Sequence, residues 1–91
     1  GKLPHMGWNT LIKVRDSPIL EDVNTGDWVY FVHSYYPSPR DADLILAETQ
    51  YFIRFPSVIG DSSRFGTQFH PEKSSVTGQK ILKNFLKICK R

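Results

Sequence analysis

The most reactive combination of side chains in this sequence is the short segment His70-Pro71-Glu72. Histidine titrates near neutral pH and is the side chain that most often moves protons in enzymes. A carboxylate two residues later can accept the proton of one ring nitrogen, which fixes the tautomer and stabilises the imidazolium. Pro71 fixes φ between the two residues, so less entropy is lost in holding that geometry. The segment therefore indicates a general base and the carboxylate that orients it.

The same segment has no obvious nucleophile to activate. None of the serines lies in the Gly-x-Ser-x-Gly pattern of a nucleophile elbow. The single cysteine, Cys89, falls on the apolar side of a predicted helix, where a small buried hydrophobic residue is the simpler interpretation. Because His-x-Glu triplets also occur in surface turns, the residues by themselves leave both a catalytic and a structural interpretation open.

Metal and nucleic-acid binding are both disfavoured. His5, His33 and His70 are separated by 28 and 37 residues without a Cys-x-x-Cys pair, which matches no standard zinc site. The net charge of +3 arises from residues 73–91, which carry six Lys or Arg and no acid, whereas residues 1–72 sum to −3. Nucleic-acid sites interleave cations with exposed aromatic residues, and here the two classes lie on different elements. We expect no metal, no other cofactor and no nucleic-acid partner.

The chain also lacks the features of membrane or secreted proteins. Its longest apolar run, near Trp28 to Val32, is far shorter than the roughly 20 residues that span a bilayer. No basic and then apolar N-terminal stretch resembles a signal peptide, and one cysteine cannot form an internal disulfide. We expect a cytoplasmic location and no membrane partner.

The elements that would position His70 are mainly strands. Residues 28–36 are β-branched and aromatic on both alternating faces, which predicts a central strand covered on both sides. Further strands are predicted over residues 44–47, 51–59 and 64–69, and Pro56 makes a central position unlikely for the second of these. His70 then follows the last strand, at the carboxyl end where α/β proteins place their sites.

Turns and one long helix complete the prediction. Ser17-Pro18 starts one or two helical turns that bury Ile19, Leu20 and Val23. Residues 24–27 form a turn, residues 37–41 a loop and residues 60–63 a second turn. A helix is predicted from about Ser75 to Lys90. Its lysines lie mostly near the C-terminal end, where their charges interact favourably with the negative end of the helix dipole. Its predicted buried stripe contains Val76, Ile81, Leu82, Phe85, Leu86 and Cys89. Strands followed by a terminal helix predict an α/β layer structure.

Three segments resemble a known family. Residues 65–74, FGTQFHPEKS, resemble the C-terminal signature of class I (triad) glutamine amidotransferases. Residues 3–9, LPHMGWN, and 30–35, YFVHSY, narrow the resemblance to the amidotransferase subunits of imidazole glycerol phosphate synthases. The resemblance implies that residues 1–91 are the C-terminal half of one flavodoxin-like α/β domain with a mixed sheet. The Gly-x-Cys-x-Gly elbow belongs to the first half of such domains, so we expect this chain alone to be inactive and to expose apolar surface.

The resemblance also implies roles for individual residues. His70 and Glu72 would complete a Cys-His-Glu triad that hydrolyses glutamine to glutamate and ammonia. The ammonia would pass to a (β/α)8-barrel cyclase subunit in histidine biosynthesis. The backbone of Ser34 and Tyr35 matches positions that hold the substrate glutamine. The positions that would face the barrel are Pro4, His5, Met6, Gly7, Trp8, Asn9 and Lys73.

Simpler interpretations and other functions stay open at this level. Trp8 is also compatible with a packed core position, and His33 with a buried histidine whose hydrogen bonds are satisfied. The chain is compatible with an amidotransferase of the anthranilate or GMP synthase type, and with a non-catalytic interaction module that keeps His-Pro-Glu. A small basic nucleic-acid binder would show affinity that falls steeply with salt.

Overall fold

Six strands, three short 3₁₀-helices and one α-helix form the part of the chain that the computed structural model describes, residues 2–35, 41–51, 53–61 and 64–90, with backbone alone for 2–6 and 33–35. The strands are β1 Lys2–Thr10, β2 Ile12–Lys13, β3 Trp28–Tyr35, β4 Ile45–Tyr51, β5 Ile53–Gly60 and β6 Phe65–Thr67. The 3₁₀-helices are Pro18–Leu20, Ala42–Leu44 and Pro71–Lys73, and the α-helix, α1, is Ser75–Cys89. Strands with a packed terminal helix confirm the α/β fold class.

The strands form two antiparallel groups within the described ranges. β1 pairs with β3, and the second sheet has the order β2-β4-β5-β6. In the first pair Trp8 lies opposite Tyr30, and their rings meet edge to face at a centroid distance of 5.5 Å. The strand predicted over residues 28–36 is confirmed as far as Tyr35, and residue 36 and the predicted loop at 37–40 lie outside the described residues.

Burial of β3 on both faces was the wrong expectation for the described residues. Val29 and Phe31 on one face are completely buried, but Trp28 on the other face is 57% exposed. The physical reason is that the described elements cover only the Val29 side at this end of the strand. Apolar residues on both faces of a strand are typical of a sheet with a layer packed on each side, and the described residues provide only one of these layers.

The position of β5 also corrects a prediction, because this strand lies between β4 and β6 despite Pro56. The register explains the exception. Ala47 pairs with Val58 while the next residue, Glu48, pairs with Pro56, so Ser57 is an extra residue at a bulge. β6 pairs only with residues from Val58 onward, so Pro56 has no β6 partner to which it would have to donate. Proline is tolerated at such bulges.

The core lies between the strands and the helical segments. The ring of Phe31 contacts those of Phe55 and Phe69 edge to face, at centroid distances of 5.7 and 5.8 Å. Each large side chain buried in this way stabilises the fold by about 1.5–3 kcal/mol. The helical start at Ser17 is confirmed, since its side chain accepts a hydrogen bond from the N–H of Ile19 at 3.4 Å. The predicted buried residues of this segment are all 1–2% exposed: Ile19, Leu20 and Val23.

The two predicted turns are found where the structure describes them. The N–H of Asp27 donates to the carbonyl of Asn24 at 3.0 Å, and Gly26 between them has φ of 98°, which favours glycine. At the second turn the N–H of Asp61 donates to the carbonyl of Arg64 at 3.0 Å, and residues 62–63 lie outside the described ranges.

Helix α1 confirms the predicted span, but its buried side differs from the predicted stripe. Thr77, Gly78, Ile81 and Asn84 are buried, whereas most of the predicted stripe is exposed: Val76, Leu82, Phe85, Leu86 and Cys89. The cause is hydrogen bonding and close approach. Asn84 Nδ2 donates to the carbonyls of Ile19 and Glu21 at 3.0 and 2.8 Å. These bonds turn the side of α1 that carries Asn84 toward the Ile19–Glu21 segment.

The lysines of α1 hold the helix to the same segment, in addition to any effect on the dipole. Lys87 Nζ lies 2.8 Å from Glu21 Oε2, and Lys80 Nζ donates to the carbonyl of Asp22 at 3.0 Å. Both side chains of the Lys87–Glu21 pair are more than half exposed, so we expect the pair to stabilise the fold by less than about 1 kcal/mol.

Candidate active site

The structure brings the two candidate catalytic groups together. His70 Nδ1 lies 2.8 Å from Glu72 Oε1, a distance typical of a hydrogen bond to a charged group. Pro71 begins the 3₁₀-helix Pro71–Lys73, and this turn brings Glu72 back beside the ring of His70. With Nδ1 engaged by the carboxylate, Nε2 is the nitrogen on the opposite side of the ring that can exchange a proton with a reacting group.

The backbone of His70 is anchored to β3. Its N–H donates to the carbonyl of Tyr30 at 3.0 Å. Ser74 completes the anchor, because its hydroxyl donates to the carbonyl of His70 at 2.6 Å and accepts the N–H of Tyr30 at 2.9 Å. Ser74 is only 1% exposed, so both bonds lie away from solvent. The imidazole is thus carried on a backbone that is tied to the strand at two points.

Ser74 is the residue that sequence reasoning missed in this role. The sequence pattern shows it only as one of several serines outside a nucleophile elbow. The signal available in the sequence was its position, four residues after His70, at the point where a strand end must turn into a helix. Its hydroxyl donates one hydrogen bond to the backbone and accepts another from it, so we do not assign it as the nucleophile.

Two apolar features fix the segment from either side. Phe69 is 4% exposed and packs on Phe31, which fixes the residue immediately before His70. On the other side, a Cβ added at Gly78 would lie 1.8 Å from the carbonyl oxygen of Pro71. Helix α1 therefore approaches the 3₁₀-helix more closely than any residue with a side chain allows.

Electrostatics favour the ionised form of Glu72. Hydrogen bonds from its own backbone N–H and then from the His70 side chain lower the pKa of this carboxyl, and the charges of His70 and Lys73 act in the same direction. The side chains of His70 and Glu72 are 44% and 58% exposed, so solvent screens the pair and it is a weak source of stability. The described residues position the pair without enclosing it.

The residues expected to face the barrel lie on two elements. Trp8 of β1 is 49% exposed, which excludes the alternative that it is a packed core residue. The half-buried side chain of Asn9 is held against β4, since its Nδ2 donates to the carbonyl of Gln50 at 3.0 Å. Gly7 has φ of 115°, and Lys73 is exposed in the same 3₁₀-helix as Glu72. Pro4, His5 and Met6 continue β1, where only their backbone is described.

The candidate substrate-binding positions lie at the end of the strand that anchors His70. Ser34 and Tyr35 are the last two residues of β3, opposite Leu3 and Lys2 of β1, and Tyr30 lies four residues before Ser34 on the same strand. Their side chains, like that of His33, lie outside what is described. The topology thus places these backbones on the element that carries the anchor of the candidate base.

Neither a metal site nor a membrane span is found in the described ranges. No group of three or more His, Cys, Asp or Glu side chains there is arranged to hold a metal ion. No helix in the same ranges has the length and apolar character needed to cross a membrane.

Comparisons with known proteins identify the family to which the chain belongs. The family model described as glutamine amidotransferase class-I matches residues 1–89. Curated relatives include the imidazole glycerol phosphate synthase subunit HisH of Geobacillus kaustophilus, which is 53% identical over 88 residues, or 97% of this chain and 41% of the relative. The corresponding subunit of Halobacterium salinarum is 52% identical over 90 residues, again 97% and 41%.

A third relative gives the longest match of the three. The HisH subunit of Archaeoglobus fulgidus is 50% identical over 91 residues, or 100% of this chain and 46% of the relative. The chain therefore spans less than half the length of these curated relatives. With a family match over nearly every residue and the His-Glu pair formed, the chain belongs to the class-I glutamine amidotransferase family.

Proposed function

We propose that this chain supplies the general base and the orienting carboxylate of a glutamine amidotransferase that serves imidazole glycerol phosphate synthase. The observation that carries the proposal is the 2.8 Å contact between His70 Nδ1 and Glu72 Oε1, on a backbone tied to β3. The relatives support the choice of synthase, because each is named as a subunit of that enzyme. A role in biosynthesis also supports a cytoplasmic location.

In the proposed mechanism the nucleophile is a cysteine thiol from the other half of the domain. Its sulfur attacks the side-chain amide carbon of glutamine while His70 Nε2 takes the thiol proton. His70 then returns a proton to the amide nitrogen, the C–N bond breaks, and ammonia leaves a γ-glutamyl thioester. Water attacks the thioester with His70 again as base, which releases glutamate and restores the thiol. Glu72 keeps Nδ1 protonated and stabilises the imidazolium in both steps.

Cys89 does not fit the role of nucleophile in this scheme. It is the only cysteine of the chain and lies at the far end of α1, whereas the 3₁₀-helix that carries Glu72 precedes the start of α1. Fifteen helical residues separate the two ends by about 20 Å at 1.5 Å per residue. The 91-residue chain is therefore expected to hydrolyse no glutamine by itself.

Substrate contacts are assigned to the C-terminal end of β3, and partner contacts to β1 and Lys73. The backbone groups of Ser34 and Tyr35 would hold the glutamine. The half-exposed ring of Trp8, with Pro4, His5, Met6, Gly7 and Asn9 along β1 and with Lys73, would face the (β/α)8-barrel cyclase that receives the ammonia. Lys73 directly follows Glu72, so docking of the barrel would be communicated to the carboxylate through one peptide unit.

Glutaminase assays on a fused domain test the proposal. The remaining part of the Geobacillus kaustophilus relative, joined to this chain, is expected to release glutamate from glutamine. His70→Ala should lower kcat by about 10²–10⁴-fold, the usual contribution of a general base. Glu72→Gln should lower kcat with little change in KM, since the carboxylate acts through His70.

The matched control for Glu72→Gln is Glu48→Gln. This substitution removes a carboxylate on β4 whose Oε1 lies 2.6 Å from Arg54 Nε and which has no part in the His70–Glu72 pair. It should leave kcat unchanged. Full activity in His70→Ala would overturn the proposal. Retention of a barrel cyclase in a pull-down, in preference to an anthranilate or GMP synthase domain, tests the assignment of the partner.

A further inference from the structure

The peptide unit between Phe69 and His70 lies where the chain passes from one sheet to the other. Before it, the N–H of Gln68 donates to the carbonyl of Ser57 at 2.9 Å, at the bulge of β5 in the four-stranded sheet. After it, the N–H of His70 donates to the carbonyl of Tyr30 at 3.0 Å, on β3 of the two-stranded sheet. The peptide unit therefore lies outside the strand pairing of both sheets.

The carbonyl of Phe69 depends on a side chain for its hydrogen bond. Within the described ranges, the one hydrogen bond to this carbonyl comes from the hydroxyl of Thr67, which donates to it at 3.0 Å. Thr67 is the half-buried last residue of β6, and Phe69 is 4% exposed. A buried carbonyl without a partner is costly, so the hydroxyl takes the place of the strand N–H that is absent where the chain changes sheets.

Both ends of this peptide unit are therefore fixed, the carbonyl by Thr67 and the N–H by Tyr30. Because a peptide unit is planar, rotation of its plane changes ψ of Phe69 and φ of His70 together. The φ of His70, −96°, sets the direction in which its side chain leaves the backbone. The 2.8 Å contact of Nδ1 with Glu72 Oε1 depends on that direction.

We propose that Thr67 is a positioning residue for the base of the glutaminase reaction. Its hydroxyl holds the Phe69–His70 peptide unit in the orientation that aligns the ring of His70 with Glu72. The inference rests on the proposed function, which assigns His70 as the base. It is separate from the anchor made by Ser74, whose hydroxyl acts on the carbonyl that follows His70 and not on the peptide unit before it.

A purely structural role for the Thr67 hydroxyl leads to a different expectation. Threonine hydroxyls commonly bond to backbone groups a few residues away in the chain. If the bond only satisfied the Phe69 carbonyl, its loss would lower the free energy of unfolding and leave the alignment of His70 unchanged. The experiments therefore measure the ring of His70 and the reaction it serves.

NMR of the 91-residue chain measures the alignment of the ring directly. In the neutral ring the contact with Glu72 favours the tautomer with its proton on Nδ1, and the nitrogen chemical shifts of His70 report the two tautomers. Thr67→Val replaces the hydroxyl by a methyl group, and we expect the ratio of the Nδ1–H to the Nε2–H form to fall by about three- to tenfold, as for the loss of one hydrogen bond. Thr67→Ser, which keeps the hydroxyl, should change this ratio by less than about twofold.

Turnover of the fused domain is the second readout. Thr67→Val should lower kcat by about three- to tenfold with little change in KM, since Thr67 acts through His70 and does not contact the substrate. Thr67→Ser should restore kcat. If Thr67→Val reduces the folded population, Thr67→Ala and Thr67→Ser give the same comparison, because these two variants differ only by the hydroxyl.

The matched control is Thr49→Val. It removes a threonine hydroxyl from a buried position of β4 in the four-stranded sheet, and this Oγ1 has no hydrogen-bond partner among the described residues. The substitution should leave both kcat and the tautomer ratio unchanged.

Two results would overturn the proposal. These are an unchanged tautomer ratio in folded Thr67→Val, and equal kcat for Thr67→Ser and Thr67→Ala in an active fused domain. Because the tautomer ratio is measured without catalysis, failure of this inference and failure of the proposed function are distinguishable. An inactive fused domain would overturn the proposed function, and the tautomer ratio would then decide whether Thr67 aligns the ring.

Discussion

The segment around His70 and the exposed apolar residues of α1 lie close together, but they differ in how many contacts the described residues provide for them. Around His70 the backbone polar groups find partners in β3 and Ser74, and Gly78 lets the helix approach the carbonyl of Pro71. On α1, the side chains of Phe85 and Leu86 are about half exposed or more. The described residues therefore position the candidate catalytic pair and leave this apolar side of α1 exposed.

Gly78→Ala is the substitution with the largest expected effect on this contrast. Its Cβ would meet the carbonyl oxygen of Pro71 at 1.8 Å, so the helix must shift away from the site segment. Such overpacking typically lowers the free energy of unfolding by about 1–3 kcal/mol or more. Urea denaturation measures the loss, and Gln79→Ala, at an exposed position of the same helix, should change it by less than about 0.5 kcal/mol. Equal effects of the two substitutions would show that the close approach is not limiting.

Ser74→Ala is expected to have the next largest effect. It removes the hydroxyl that joins the carbonyl of His70 to the N–H of Tyr30, and it leaves a part-buried donor without its partner. A loss of about 1–3 kcal/mol in the free energy of unfolding is expected. Ser75→Ala, one residue later and exposed, is the control. In the fused domain, Ser74→Ala should also lower kcat; a structural loss with kcat unchanged would argue against the anchor's role in positioning His70.

The electrostatic coupling of the pair is tested by titration of Glu72. Its lowered pKa means that its contribution to stability is complete above the ordinary pKa of a glutamate and is lost as pH falls through the lowered value. His70→Ala should raise the pKa of Glu72 toward its ordinary value without restoring it, because the larger cause, the backbone hydrogen bond, remains. Carbon-detected NMR titration of the side-chain carboxyl measures this. An unchanged midpoint would show that the ring does not stabilise the carboxylate.

Leu86→Ser is expected to have the smallest effect on the isolated chain. The side chain is 59% exposed, so its removal should change the free energy of unfolding by less than about 0.5 kcal/mol. Thermal denaturation checks this. A large loss would mean that Leu86 is buried within the chain itself, which would remove the contrast between the two regions.

The sequence predicted those features that depend on local rules. Ser17-Pro18, the turn at Gly26 and the span of α1 follow from capping and turn chemistry, and His70-Pro71-Glu72 forms its contact within a single turn. The features it did not predict depend on distant partners. Pro56 sits inside a sheet because of a bulge opposite Glu48, and Asn84 is buried because it bonds carbonyls more than 60 residues away.

The buried side of α1 explains why hydrophobic periodicity predicts the wrong face of this helix. Leu82, Phe85 and Leu86 form an apolar stripe at helical spacing, and the hydrophobic pattern alone assigns that stripe to the core. The helix instead packs through Gly78, Ile81 and Asn84, because a glycine permits close approach and an amide satisfies two carbonyls. The hydrophobic pattern therefore does not identify the side of α1 that packs in the described structure.

The hydrogen bond from Tyr30 to Ser74 has a consequence for how the catalytic pair comes into being. It joins residues 44 positions apart, so it forms only after a long loop has closed, and long-range contacts of this kind are slow to form. The His-Pro-Glu turn can bend locally at any time, but its backbone is held in place only when β3 is already folded. Assembly of the base is thereby coupled to completion of the fold, and a partly folded chain would have the residues of the site without their alignment.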